Sequence, residues 1–343
     1  MARDIGTDDP RVRVRPGRGS RPRTKIRPDY SDAARGFVTT VDRGRYGVIA
    51  DDGPHLTAVK ARELGRGSIV VGDRVGIVGD LSGRTDTLAR IAAVDERSSA
   101  LTRSAEDGDT EGVERVVVAN ADQLVVVVAL ADPPPRPRLV DRFLVAAYDA
   151  GMRAILVLTK ADLAEPEAFL ESYRGVDVDV VTVRRGEGPG GAEIVGIEDV
   201  RAVLNGHISV LVGHSGVGKS TLVNALVPGA GRATGGVNVV TGRGRHTSSS
   251  AIALELPEGG WVIDTPGVRS FGLAHVEPDD LLRGFGDLAT AAEECPRGCS
   301  HALNSPDCAL DEWVAAAEGA EANYRTARLD SYRRLLVARH SSD

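Results

Sequence analysis

The spacing of apolar positions divides the chain. From about Gly36 to Thr102 the apolar runs are short and are broken by glycine and aspartate. Gly36–Val41 and Tyr46–Ala50 flank the turn Asp42-Arg43-Gly44-Arg45. Leu56–Lys60, Ile69–Val71, Arg74–Val78 and Thr87–Val94 follow. Short β-like runs at this spacing predict five or six strands closing a small barrel of the OB (oligonucleotide/oligosaccharide-binding) type. Such barrels hold oligonucleotides or mediate protein contacts, and the strands alone do not choose between the two.

The pattern then lengthens. Two apolar runs, Arg115–Ala119 and Leu124–Leu130, lie within 114–130, and the second is continuously apolar, as a strand covered on both faces is. A proline-rich loop, Pro133–Pro137, precedes an amphipathic helix near Leu139–Ala150, and a further strand runs over Ala154–Leu158. Alternation of strand and helix continues through His207–Val212 to Gly260–Asp264, which predicts a doubly wound α/β domain with a mostly parallel sheet. After Phe271 the strand pattern stops. Helical stretches around Pro278–Gly284 and Glu312–Leu336 bracket a cysteine cluster. The expected boundaries are a basic tail over 1–34, the barrel over 35–103, the α/β domain over 104–271 and a small, mainly helical domain over 272–343.

Composition adds limits. A chain of 343 residues exceeds one core of ordinary size, so two or three domains are expected. No uncharged apolar run reaches bilayer length, and the N-terminus lacks the apolar core of a signal peptide; a cytoplasmic chain is expected, with no membrane partner. The net charge of −7 argues against a uniformly basic nucleic-acid binder. Residues 1–28 are locally basic, however, with Arg11, Arg13, Arg15, Arg18, Arg21, Arg23, Lys25 and Arg27 set among small or polar residues. Nothing there forms an apolar face. The segment is expected to be disordered until it meets an anionic partner, either as a solubilising tail or as an RNA contact.

The strongest motif is Gly213-His214-Ser215-Gly216-Val217-Gly218-Lys219-Ser220-Thr221, after an apolar strand and before Leu222–Leu226. This strand–loop–helix matches a P-loop at every fixed position. Its glycines let backbone N–H groups turn inward around phosphates, and the helix N-terminus adds partial positive charge. Lys219 then reaches the outer phosphates, and the Ser220 hydroxyl ligates Mg²⁺. Asp264 ends an apolar strand and precedes Thr265-Pro266-Gly267; its carboxylate suits Mg²⁺ through water, and the Gly267 N–H suits a γ-phosphate. Between them, Gly242-Arg243-Gly244-Arg245-His246-Thr247 reads as a basic switch loop. A threonine from it completes the Mg²⁺ shell; Thr247 is preferred, with Ser248 and Thr241 as competitors. Val268 stands where many GTPases carry a water-orienting glutamine, which leaves His246 as the nearest candidate for that role.

Thr159-Lys160-Ala161-Asp162 looks like the guanine-reading Asn-Lys-x-Asp motif. Asp162 can accept both guanine N1–H and the exocyclic N2–H₂, which adenine does not offer, while the Lys160 stem lies along the ring. Here the reader precedes the P-loop. A sheet can keep its strand neighbours while the chain ends move, so a nucleotide site survives permutation.

In this order the motifs resemble the circularly permuted GTPase family of ribosome small subunit-dependent GTPase A, over roughly residues 35–340. The resemblance implies an OB-type barrel, a circularly permuted α/β P-loop GTPase domain and a C-terminal zinc-binding helical domain. It also implies GTP hydrolysis, stimulated by the small ribosomal subunit and acting late in that subunit's maturation. Hydrolysis would drive a conformational change and release. The partners are the subunit and its rRNA with GTP or GDP, the chain is a monomer, and His246 joins Lys219 as catalytic. Two positions depart from the family: Thr159 replaces asparagine, and Thr182-Val183 stands where Ser-Ala is expected before Gly186-Glu187-Gly188.

Cys295-x₃-Cys299-x-His301-x₆-Cys308 uses all three cysteines and supplies a closed Cys₃His set suited to one structural Zn²⁺. The family spaces its first gap one residue longer and its last one shorter. Two other functions compete. One is a P-loop ATPase or kinase, against which Asp162 argues. The other is a nucleotide-gated RNA-binding scaffold with negligible turnover.

Overall fold

Five of the short runs close the barrel. In the computed structural model these are β1 (Ala34–Asp42), β2 (Arg45–Ala50), β3 (His55–Lys60), β4 (Arg74–Gly79) and β5 (Ala89–Val94). β1 pairs with β2 and with β4, β3 pairs with β2 and in parallel with β5, and β5 returns to β4. Closure removes the edges, and alternate residues such as Val38, Val48, Leu56, Val75, Ile77 and Ile91 fill the interior. Ile69–Val71 is not a strand; only Val71 makes an isolated bridge, to Val118. Side-chain bonds hold the segment instead. The buried Asp73 carboxylate accepts the Val70 N–H at 2.7 Å and takes Arg97 Nε and Nη2 at 2.7 and 2.9 Å. The structure describes residues 30–51, 53–65, 67–103, 115–186, 193–230, 251–265, 271, 273 and 275–339.

Beyond the barrel, β6 (Ala100–Arg103) and β7 (Arg115–Ala119) form an antiparallel pair of their own, so the first of the two long apolar runs lies outside the main sheet. The main sheet holds β8 (Gln123–Ala129), β9 (Arg153–Thr159), β10 (Asp179–Thr182), β13 (Ile208–Val212) and β15 (Trp261–Asp264), parallel in the order β10-β9-β8-β13-β15. β14 (Ile252–Glu255) joins antiparallel to β15. A two-residue pair, β11 (Arg184–Arg185) with β12 (Ile194–Val195), follows β10.

Every residue of β8 is buried, because layers cover both faces. Leu124, Val126 and Val128 face one core with α1 (Pro137–Asp149); Val125, Val127 and Ala129 face another with α3 (Ile197–Leu204) and α4 (Lys219–Leu226). The short α2 (Glu167–Leu170) lies between β9 and β10 in the chain.

The C-terminal region is helical: α5 (Pro278–Leu282), α6 (Gly286–Ala292), α7 (Ala309–Ala315) and α8 (Gly319–Ala338). The helix expected over Glu312–Leu336 is therefore two. The chain leaves helical geometry after Ala316 and restarts at Gly319, whose φ of +62° a side chain would resist. Phe285, Leu310, Tyr332 and Leu335 share the α1 core with Phe143 and Leu156. Barrel and main sheet meet where β1 runs past its pairing with β4: Thr40 of β1 pairs with Ile252 of β14, and the Phe37 and Trp261 rings lie 4.9 Å apart.

Candidate functional site

At the end of β13 the backbone must turn abruptly under the loop. Gly213 has φ +145°, and a Cβ there would press on the Val127 carbonyl of the neighbouring β8. Gly218, at φ +101°, is the N-cap of α4, so the first N–H groups of that helix open toward the loop. Lys219 folds back over this loop, donating from Nζ to the carbonyls of Gly213 and, at 3.0 Å, of His214. Burial lowers its pKa and the nearby Asp264 carboxylate opposes the shift. Asp264 is buried at the end of β15, in register with Leu211 on β13. The next residue anchors the turn: Thr265 Oγ1 donates to the Leu211 carbonyl at 3.0 Å. Lys219 and Asp264 thus meet at the C-terminal ends of adjacent parallel strands, where ligands bind in open α/β sheets, and Ser220 follows in the first turn of α4.

The motif expected to read guanine, Thr159–Asp162, begins where β9 ends, one strand from the P-loop strand across β8. The Thr159 hydroxyl donates to the Val217 carbonyl at 2.6 Å, with the Val128 carbonyl at 3.3 Å. The residue that departs from asparagine therefore ties the reader directly to the P-loop. Lys160 has φ +58° and its Nζ donates to the Asp132 carbonyl. The Ala161 N–H reaches the Val183 carbonyl at 3.3 Å, and Asp162 Oδ1 accepts the Arg185 N–H at 3.1 Å. Val183, in the second departure, is buried and donates from its N–H to the Leu158 carbonyl at 2.7 Å, so the segment backs the reader.

The proline-rich loop after β8 carries no recognisable motif, yet it borders the site. Asp132 receives Lys160, and Pro133 lies 3.6 Å from where a Gly216 side chain would begin. The signal was available: the loop leaves the C-terminal end of a fully buried parallel strand. His246, Thr247 with its competitors Ser248 and Thr241, and Gly267 lie outside the described residues.

The cysteine cluster converges. The ligand atoms of Cys295, Cys299, His301 and Cys308 all lie within 4.8 Å of one another. His301 Nδ1 is 3.6 Å from Cys295 Sγ and 3.8 Å from Cys308 Sγ. Ligands of a tetrahedral zinc, each about 2.0–2.3 Å from the ion, stand roughly 3.5 Å apart, close to the two His301 distances. His301 is buried, its backbone at φ +51°, with its other ring nitrogen 3.6 Å from the Asp279 carboxylate. A carboxylate behind a metal-binding imidazole fixes its tautomer and strengthens it as a ligand. The Ala309 N–H donates to Cys295 Sγ at 3.3 Å. Burial pushes the Cys308 thiol up to about 11, so a thiolate at that position is unfavourable without a cation. The set fits a metal, and the altered spacing does not prevent convergence.

Comparison with known proteins agrees with this architecture. The profile of the RsgA GTPase family matches residues 94–274. The small ribosomal subunit biogenesis GTPase RsgA of Ectopseudomonas mendocina is 40% identical over 254 residues, 72% of this chain and 69% of that protein. Its counterpart in Chlorobaculum parvum is 36% identical over 317 residues, 89% of this chain and 98% of the relative. Among solved structures, YjeQ from Thermotoga maritima superposes with a TM-score of 0.62 at 26% identity, covering 90% of this chain and 99% of that one. YloQ, a circularly permuted GTPase, gives 0.62 at 23% identity, over 90% of this chain and 95% of its own, and supports the fold.

Proposed function

The chain belongs to the RsgA GTPase family, and on that premise we propose that it hydrolyses GTP in late maturation of the small ribosomal subunit, with the subunit and its rRNA switching hydrolysis on. The observation that carries the reading is the Thr159–Val217 hydrogen bond. Across 58 residues, and in reversed chain order, it joins the base reader to the phosphate loop at the mouth of one parallel sheet.

In this reading Gly213, His214, Ser215, Gly216, Val217, Gly218, Lys219, Ser220 and Thr221 wrap the phosphates. Lys219 exchanges its loop carbonyls for phosphate oxygens, which offsets the cost of its burial. Ser220, Thr247 and Asp264 hold Mg²⁺, which supplies charge neutralisation to the phosphates. Thr159, Lys160, Ala161 and Asp162 take the base, and the Gly267 N–H senses the γ-phosphate. His246 orients a water whose oxygen bonds to the γ-phosphorus as the bond to the β–γ bridging oxygen breaks. The cluster at Cys295, Cys299, His301 and Cys308 takes zinc as a structural ion. The chain acts as a cytoplasmic monomer; among the described residues no helix is long and apolar enough to cross a membrane.

GTP turnover with purified small subunits, with large subunits and with none tests the proposal. Strong stimulation by small subunits alone is expected. Equal stimulation by large subunits would remove the partner assignment, and no turnover under any condition would leave a nucleotide-gated scaffold.

A further inference from the structure

Arg328, on α8, is 3% exposed and carries a full charge into the shared core. Its Nε donates to both Asp287 oxygens at 2.9 and 3.0 Å, and Nη1 donates to Asp177 Oδ1 at 2.9 Å and to the Gly175 carbonyl at 3.1 Å. Nη2 takes the other Asp177 oxygen, and the guanidinium lies 4.7 Å from the Phe285 ring centroid. A buried ion pair is a weak source of net stability compared with an apolar side chain of the same shape, but it specifies geometry. Here the geometry specified is that of one short segment, Gly175–Asp177.

Other contacts converge on that segment. A Cβ on Gly175 would fall against the Ala327 carbonyl, so the α8 backbone lies directly on it. Arg334, two turns along the helix, donates to the Ser172 carbonyl at 2.5 Å and covers the Tyr173 ring at 4.9 Å. The Tyr148 hydroxyl donates to the Asp177 carbonyl at 2.8 Å.

The gripped segment is the lead-in to β10. Among the described residues β10 has a strand on one side only, β9, with Asp179 opposite Ile155 and Thr182 opposite Leu158. A four-residue edge strand with one neighbour is weakly held in register and needs an outside clamp. Its far end delivers the Val183 carbonyl to the Ala161 N–H and the Arg185 N–H to Asp162 Oδ1. A displacement at Asp177 therefore reaches the carboxylate assigned to the base after a few residues of strand.

We propose that Arg328 is a positioning residue for guanine recognition: from α8 it clamps the start of β10 and so sets where Asp162 meets the base. The proposal rests on the assignment of Asp162 as guanine reader.

The test uses the full chain and compares dissociation constants for GDP and for inosine diphosphate, which lacks the exocyclic amine. Wild type is expected to prefer GDP. If it does not, the Asp162 assignment fails and the role of Arg328 fails with it. Asp177→Asn removes one charged partner at a side chain that is 64% exposed, leaving Asp287 to hold Arg328; Arg328→Met removes the clamp. Misplacing a binding group by a fraction of an ångström should lower the GDP preference over inosine diphosphate roughly fivefold in Arg328→Met and about twofold in Asp177→Asn. Arg328→Lys should not restore it, because an ammonium cannot make the two-pronged pairing. An unchanged ratio in a folded variant, or equal loss for both nucleotides, would overturn the proposal. If Arg328→Met does not fold, Asp177→Asn alone decides.

Discussion

Thr159 directs its only hydroxyl proton at the P-loop, and that choice has a measurable cost attached. Replacing it with the isosteric valine leaves the buried Val217 carbonyl without its 2.6 Å partner. An unsatisfied buried acceptor costs about 1–3 kcal/mol, so Thr159→Val should lose that much stability in chemical denaturation and weaken GDP binding as the loop loosens. A loss below about 0.5 kcal/mol would show that the bond is incidental. On the proposed reading Asp162 decides which base is read. Asp162→Asn should shift preference from guanine toward xanthine nucleotides, because an amide donates where the carboxylate accepts; ATP competing as well as GTP against the wild-type chain would refute the base assignment. The places of Lys219, Ser220 and Asp162 in the fold were legible in the sequence because each belongs to a motif of fixed residue types at fixed spacing. The Arg185 N–H, the Val183 carbonyl and the Asp132 carbonyl were not. Any residue supplies a backbone group, so no residue type marks its place.

Elements whose periodicity is set by burial were the easiest to foresee. Leu124–Ala129 of β8 and Ala154–Leu158 of β9 are apolar throughout because layers cover both faces, and α1 begins at a proline and ends within a residue or two of its expected limit. Ile69–Val71 is as apolar as its neighbours, yet the Asp73 carboxylate accepts the Val70 N–H and is itself held by Arg97, 24 residues further on, a pairing that hydrophobicity does not encode. At the helical end, the His301 carbonyl accepts Arg333 Nε at 3.1 Å and the His301 ring sits edge-on to Tyr332, so the cysteine cluster is anchored on α8. One zinc per chain is expected by elemental analysis, and a chelator should melt α5–α8 before the P-loop core on the opposite face of the sheet. Thiolates bind the metal and protons compete for them, so zinc should be retained at neutral pH and lost as pH falls; retention in mild acid would argue against thiolate ligation. Cys299→Ala should weaken zinc binding and loosen these helices. Absence of stoichiometric metal would remove the structural-zinc assignment.

Across the whole molecule, the chain order puts the barrel before the hydrolytic domain and the helical region after it. The residues between α4 and β14 include Arg243, Arg245 and His246, and β14 pairs directly with barrel strand β1. The order of domains was legible from motif order; that pairing was not, because two strands some 200 residues apart in the chain carry no shared pattern. A partner bound to the barrel therefore has a short backbone route to the segment carrying His246. Val268 cannot orient water, since its side chain neither donates nor accepts a hydrogen bond, so the isolated chain should turn GTP over slowly. On the proposed reading, RNA of the small subunit, drawn by the arginines beside His246, would hold the histidine against the attacking water and raise the rate. The GTP form should accordingly bind small subunits more tightly than the GDP form. His246→Ala should abolish most of the stimulated rate while leaving GTP affinity within about twofold, the pattern of a group that acts only in the transition state. Wild-type stimulated turnover from that variant would exclude His246 from the mechanism, and a parallel loss of GTP binding would make it a ligand of the nucleotide instead.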